Sequence, residues 1–249
     1  MKSFLNCDRP ILTGMIKGRT TDEVVAEVER LKRDGVEAFG FQLDHMDPGY
    51  KGEEDIKRIF NAMSPLPIYA TNYKRSNSEP DIDWQTLEDQ LVMMLALGAT
   101  LIDIPADMYH TSDMELTTDE AAIEKQKQLI DKIHSLGGEV LMSSHVLRFI
   151  PKETAMFIAR EQKSRGADIA KIVTGAETDD ELYENFEICM MLRRELGIKS
   201  LFLCGGEKRR MHRLLGPLFG SCMYLVTENA LLDTQPAVAL ATKALEYLG

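Results

Sequence analysis

Short apolar runs recur along the whole chain, separated by longer stretches in which apolar residues return every three or four positions. A short run bounded by turn residues reads as a buried strand, and a 3.6-residue period reads as an amphipathic helix. Strands are predicted at 11–16, 38–44, 67–73, 100–106, 139–145, 168–174 and 199–206, with a short eighth at 222–226. The first helix opens on Thr21-Asp22-Glu23-Val24, which supplies a cap and early acids. Val24, Val25, Val28 and Leu31 form its inward stripe, and Gly35 closes it. Four later helices end the same way, at Gly98, Gly137, Gly166 and Gly197, each followed by a strand. Eight β-then-α units in 249 residues predict an α/β fold, a (β/α)8 TIM barrel forming one domain over residues 1–249. A doubly wound sheet would show G-x-G-x-x-G after its first strand; Lys17-Gly18-Arg19-Thr20 does not match.

Composition narrows the functional class. The net charge of -11 repels phosphates, which argues against a general nucleic-acid or anionic-membrane binder. Cys7, Cys189, Cys204 and Cys222 have no C-x-x-C spacing, so reduced thiols in a cytoplasmic protein are expected rather than a disulfide framework or a zinc site. The N-terminal residues lack the apolar core of a signal peptide, and the apolar stretch near Leu91–Leu97 is too short for a bilayer.

One charge stands out against this pattern. Lys171 lies in Asp168-Ile169-Ala170-Lys171-Ile172-Val173, otherwise a strand buried on both faces. An ammonium there must pair with a carboxylate or lose its proton, and a neutral amine in a pocket attacks carbonyls. By alternation Ile169, Lys171 and Val173 share a face; if that face is the barrel interior, the lysine pKa should fall. The preceding strand ends in Ser143-Ser144-His145, placing a proton-transfer group at the adjacent mouth position. His45, after strand two, could also reach the mouth, and Asp44 beside it either orients a histidine or caps a turn. In the basic run Lys208-Arg209-Arg210-Met211-His212-Arg213, Lys208 and Arg209 read equally as an anion site or as a solvated helix face. Asp103, Asp107 and His110 would be the ligands of a metal-dependent isomerase, but they fit turn caps better.

These motifs together resemble the type I 3-dehydroquinate dehydratases, Schiff-base-forming barrel enzymes of the shikimate pathway of aromatic amino acid biosynthesis. Ser143-Ser144-His145 is similar to the family's Ser-x-His, and Gly166-Ala167-Asp168-Ile169-Ala170-Lys171-Ile172 to the segment around its imine-forming lysine. Arg213-Leu214-Leu215-Gly216-Pro217-Leu218-Phe219-Gly220-Ser221 resembles the segment whose arginine binds the substrate carboxylate, and Gln235 falls at a lid glutamine. Leu43-Asp44-His45 echoes the family's Val-Asp-His. The resemblance implies a lyase with Lys171 and His145 as catalytic residues and Arg213 and Gln235 on the substrate. It implies no metal or organic cofactor and a small-molecule carboxylate as partner, and a homodimer is an assembly it allows.

The departures fall in the first half. Gly40 and Gln42 stand where the family has a glutamate and an arginine that contact ring hydroxyls. Tyr73 and Asn77 align with an arginine and with a glutamate that assists the histidine; Arg75 and Glu79 keep that spacing after a two-residue shift. Leu231 replaces a lid serine. Gln42 and Tyr73 therefore count as substrate-binding candidates, and Asp44, His45 and Glu79 as supporting ones. The expected reaction is dehydration of 3-dehydroquinate or of a related carboxylated β-hydroxy carbonyl compound. The alternatives are a class I aldolase-type lyase on a phosphorylated or carboxylated sugar, and a catalytically retired barrel that binds a small carboxylate.

Overall fold

The structure, a computed structural model, describes residues 3–228 and 235–248; Leu231 lies outside them. Eight strands alternate with eight helices: β1 Ile11–Ile16, α1 Thr21–Asp34, β2 Ala38–Gln42, α2 Glu53–Met63, β3 Ile68–Thr71, α3 Trp84–Ala96, β4 Leu101–Pro105, α4 Glu120–Ser135, β5 Glu139–His145, α5 Lys152–Ser164, β6 Ile169–Gly175, α6 Asp179–Glu195, β7 Lys199–Gly205, α7 Arg209–Phe219, β8 Met223–Val226 and α8 Val238–Glu246. The strands pair in parallel in the order β7-β6-β5-β4-β3-β2-β1-β8, forming a nearly closed (β/α)8 barrel. Among the described residues no helix is long and apolar enough to cross a membrane.

One serine side chain and a backbone hydrogen bond bridge the remaining seam between β7 and β8. The Ser221 hydroxyl donates to Phe202 O (2.8 Å) and accepts from Phe202 N (3.0 Å), while Cys222 N donates to Ser200 O (2.8 Å). A serine thus substitutes for ladder bonds where the strands diverge, which keeps buried backbone groups satisfied.

Helix punctuation follows the glycine reading. Gly35, Gly98, Gly137, Gly166 and Gly197 all take positive φ, so each reverses the chain at a helix end with no Cβ penalty. Strand alternation sorts the core into two shells. Ile11, Met15, Tyr69, Leu101, Leu141, Ile169, Val173, Leu201 and Leu225 fill the barrel interior, closed at one end by Phe4. Ala170 and Ile172 face the helices instead. Lys171 therefore points inward with Ile169 and Val173.

Two strands stop earlier than their apolar runs suggest. After Gln42 the chain enters a 3-10 turn, Leu43–His45, and β3 ends at Thr71, leaving Tyr73 two residues past the ladder. The β3–β4 ladder joins only Tyr69 to Leu101 and Ala70 to Ile102. Beyond it the mouth opens into a side cleft of about 420 Å³, lined by Tyr73, Arg75, Trp84, Pro105, Asp107 and Glu115.

Candidate active site

Lys171 stands opposite Ser143 across the β5–β6 ladder and is 4% exposed. The backbone behind it is fixed from α5, where Gln162 Nε2 donates to Lys171 O and to Ser144 Oγ, both at 3.0 Å. Its Nζ lies 3.0 Å from Asp103 Oδ2, 2.9 Å from the Tyr69 hydroxyl and 2.5 Å from the Tyr73 hydroxyl. The same Asp103 oxygen accepts hydrogen bonds from both phenols, and its other oxygen accepts from Ser143 Oγ at 2.5 Å.

Electrostatics follow from this cage. Burial pulls the Lys171 ammonium below its usual pKa, opposed by the Asp103 carboxylate. Asp103 is also fully buried, which would raise its pKa, but the Lys171 charge and three hydroxyl donors hold it below the ordinary carboxylate value. Both phenols are pushed well above 10 by burial and by Asp103, so they remain donors. An ionised aspartate thus sits against an amine that releases its proton more readily than a surface lysine does.

His145 closes the mouth side. Burial, and then the positive charges of Lys171 and Arg75, lower its pKa well below 6.5, so it is a neutral base at neutral pH. Its Nδ1 lies 2.7 Å from Glu115 Oε2, which also accepts from His145 N at 2.9 Å. Arg75 donates to the other Glu115 oxygen at 2.6 Å and stacks 4.4 Å from the Tyr73 ring centroid. Glu115 holds its place at φ +45°, a left-handed backbone that side chains avoid unless the surroundings enforce it. Ser144 Oγ, donating to Glu115 O at 2.8 Å, is part of that enforcement.

The remaining candidates divide between mouth and scaffold. Arg213, on α7, anchors its Nε on Cys204 O at 3.0 Å, and its charge is felt at His145. Half-buried Gln235 lies just before the Thr227–Ala237 bridge, beyond the end of β8. Gln42 ends β2 on the inward register, two residues after Gly40. At Gly40 a Cβ would lie 2.0 Å from Met15 Sδ, so the Met15 thioether fills the space that a longer side chain would need.

Asp44 is scaffold. It accepts from Thr71 Oγ1 (3.3 Å) and Ser76 Oγ (2.6 Å), and its oxygen is 3.6 Å from His45 Nε2, stapling the loop after β3 to the turn after β2. Glu79 pairs with Lys51 at 2.9 Å; the carboxylate on His145 is Glu115 instead. Asn77 accepts from the same lysine at 2.6 Å. Lys208 pairs with Asp179, and Arg209 donates to Gly206 O at 2.9 Å, so both cations serve local contacts. Asp107 accepts from Ser112 N, His110 pairs with Thr117, and Asp103 belongs to Lys171. Among the described residues no cluster of three or more His, Cys, Asp or Glu side chains is arranged to hold a metal ion.

Sequence reasoning missed Glu115, Tyr69 and the role of Asp103. For Glu115 one signal existed: the long segment 106–119 between β4 and α4, since loops of that length in compact domains usually carry function. The inward partners of Lys171 come from β3 and β4 and have no sequence proximity to it.

The sequence profile described as Type I 3-dehydroquinase matches residues 15–249. The chain belongs to the type I 3-dehydroquinase family. Solved structures of similar fold include the 3-dehydroquinate dehydratase of Geobacillus kaustophilus HTA426, with TM-score 0.83 and 18% identity over 100% of this chain and 95% of that one. The type I 3-dehydroquinate dehydratase of Clostridium difficile gives 0.83 and 16% over 98% and 94%, and the 3-dehydroquinate dehydratase of Enterococcus faecalis 0.78 and 15% over 98% and 95%. No curated protein sequence matches significantly. Membership makes this family member a dehydroquinate dehydratase-like enzyme, a hydro-lyase acting on a small molecule. Identities this low establish the shared fold.

Proposed function

We propose that this chain is a Schiff-base hydro-lyase that dehydrates 3-dehydroquinate to 3-dehydroshikimate, or a related carboxylated β-hydroxy carbonyl compound, through an imine on Lys171. The observation carrying this reading is an inward lysine amine, depressed by burial, beside a neutral histidine at the barrel mouth. Lys171 Nζ adds to the substrate carbonyl and water leaves, giving a protonated imine whose charge faces Asp103. His145 removes a proton from the carbon α to the imine, and the electron pair flows toward nitrogen. The β C–O bond then breaks, and the hydroxyl leaves as water with the proton held by His145. Hydrolysis of the conjugated imine frees the product and Lys171. Arg213 would bind the substrate carboxylate and Gln235 would cover it.

The interior favours turnover of the related substrate, while 3-dehydroquinate, itself a carboxylated carbonyl compound, still forms the imine and serves as its probe. Met15 over Gly40, with Tyr69 and Tyr73 alongside, leaves an apolar and phenolic wall where a polyhydroxylated ring needs charged partners. Four free cysteines fit a cytoplasmic setting. Two measurements test the reading: turnover of 3-dehydroquinate followed by absorbance of the conjugated product, and borohydride reduction with mass mapping. A stable adduct at Lys171 is expected with 3-dehydroquinate. Absence of both turnover and adduct would overturn the proposal.

A further inference from the structure

Tyr73 touches Lys171, Asp103 and His145. Its hydroxyl lies 2.5 Å from Lys171 Nζ and donates to Asp103 Oδ2. Its ring meets the His145 ring edge-on, with centroids 5.0 Å apart. Tyr69 makes the same two hydroxyl contacts from within β3, completely buried and deeper in the barrel. Tyr73, two residues past the end of β3, stands on the side from which a substrate reaches the amine.

Imine formation needs more than a nucleophile. Protons must leave the nitrogen and reach the carbonyl oxygen, which departs as water. Asp103 is the carboxylate nearest the amine, but both of its oxygens are enclosed by Lys171, Ser143 and the two phenols. A proton passing between Asp103 and an oxygen on the mouth side must therefore cross a hydroxyl. His145, held by Glu115, is placed for the carbon acid instead.

We propose that Tyr73 is a catalytic residue that relays protons between Asp103 and the carbinolamine oxygen as the Lys171 imine forms and hydrolyses. This inference rests on the imine reading above. In the forward direction the Lys171 ammonium passes one proton to Asp103, and the neutral amine forms the C–N bond. The carbonyl oxygen takes the Tyr73 proton while Tyr73 takes one from the new ammonium nitrogen, leaving a neutral carbinolamine. The C–O bond then breaks as Tyr73 gives its proton to the departing oxygen and recovers one from Asp103. The sum is ammonium plus carbonyl giving protonated imine plus water, with Asp103 and Tyr73 restored.

The test is single-turnover imine formation with 3-dehydroquinate, quenched by borohydride at timed intervals and read as mass at Lys171. Tyr73→Phe should slow adduct formation about 100-fold or more, the usual size of a proton-transfer contribution. Tyr69→Phe should slow it less than tenfold, and both variants should bind 3-dehydroquinate before the covalent step within threefold of the parent. Adduct formation at the parent rate in Tyr73→Phe, or equal losses in the two variants, would overturn the relay. If Tyr73→Phe does not fold, difluorotyrosine at position 73 keeps the shape and makes the phenol more acidic; an unchanged rate would then overturn it. An unmodified Lys171 in the parent protein sinks the imine reading and the relay together. A parent adduct with an unaffected Tyr73→Phe sinks the relay alone.

Discussion

Nδ1 of His145 lies 2.7 Å from Oε2 of Glu115, a residue thirty positions earlier in a loop on the neighbouring unit. A neutral imidazole donates its Nδ1 proton there and keeps the Nε2 lone pair, which the proposed mechanism uses for the substrate proton. Glu115→Gln should therefore lower kcat on the order of 100-fold and leave borohydride trapping at Lys171 intact. Glu115→Gly is the control. It relieves the left-handed backbone, worth about 1–2 kcal/mol, so lost activity in a well-folded Gly variant isolates the missing carboxylate. Full activity in both variants would remove Glu115 from the mechanism.

His145→Ala should form the imine and stall before elimination. Borohydride would trap a substrate-mass adduct at Lys171, while turnover falls by about 10²–10⁴. Normal turnover in this variant would show that another group moves the proton.

Removing one half of the buried ion pair is costly. Lys171→Met leaves the Asp103 carboxylate facing two phenols and a serine with no cation, and should destabilise the fold by about 3–5 kcal/mol. Adding Asp103→Asn should restore part of this. Urea unfolding of the single and double variants measures the coupling, and additive losses would mean that the pair does not interact.

Acid should weaken the protein as the pH falls through the range where unfolded histidines gain a proton. Burial lowers His145 well below 6.5 and His212 to about 3, so the unfolded chain binds protons that the folded chain refuses. With folded pKa values below the unfolded one, stability is full above about pH 6.5 and declines as pH falls beneath it. At pH 5.5 the penalty from His212 is about 1.4 kcal/mol relative to neutral pH. Thermal unfolding at pH 7.5 and 5.5 should show the drop, and His212→Phe should shrink it. Depression of Asp103 acts in the same direction at lower pH, where its stabilising charge is lost.

Gly40 and Met15 should behave as one unit. Gly40→Ala forces a Cβ to 2.0 Å from Met15 Sδ and should cost about 1–3 kcal/mol through overpacking. Met15→Ala should relieve that cost in the double variant. A cycle with no coupling would show that Met15 moves aside freely.

Much of the barrel was legible in one dimension because its determinants are local. Apolar runs set the strands, a 3.6 period set the helices, and glycines at positive φ set where helices end. The inward placement of Lys171 and the strand-end position of His145 were legible for the same reason: a charge in a greasy strand and a histidine at a strand end can be recognised from their neighbours alone. The runs overshot at β2 and β3, where Asp44 holds both chain ends in a turn through Thr71 and Ser76. What tertiary structure alone decided was who surrounds the lysine. Asp103, Tyr69 and Tyr73 reach it from β3 and its loop and from β4, and Glu115 displaces Glu79 from the histidine. Barrel closure brings together residues about seventy to a hundred positions apart in sequence, at positions set by strand register and stagger rather than by any spacing along the chain.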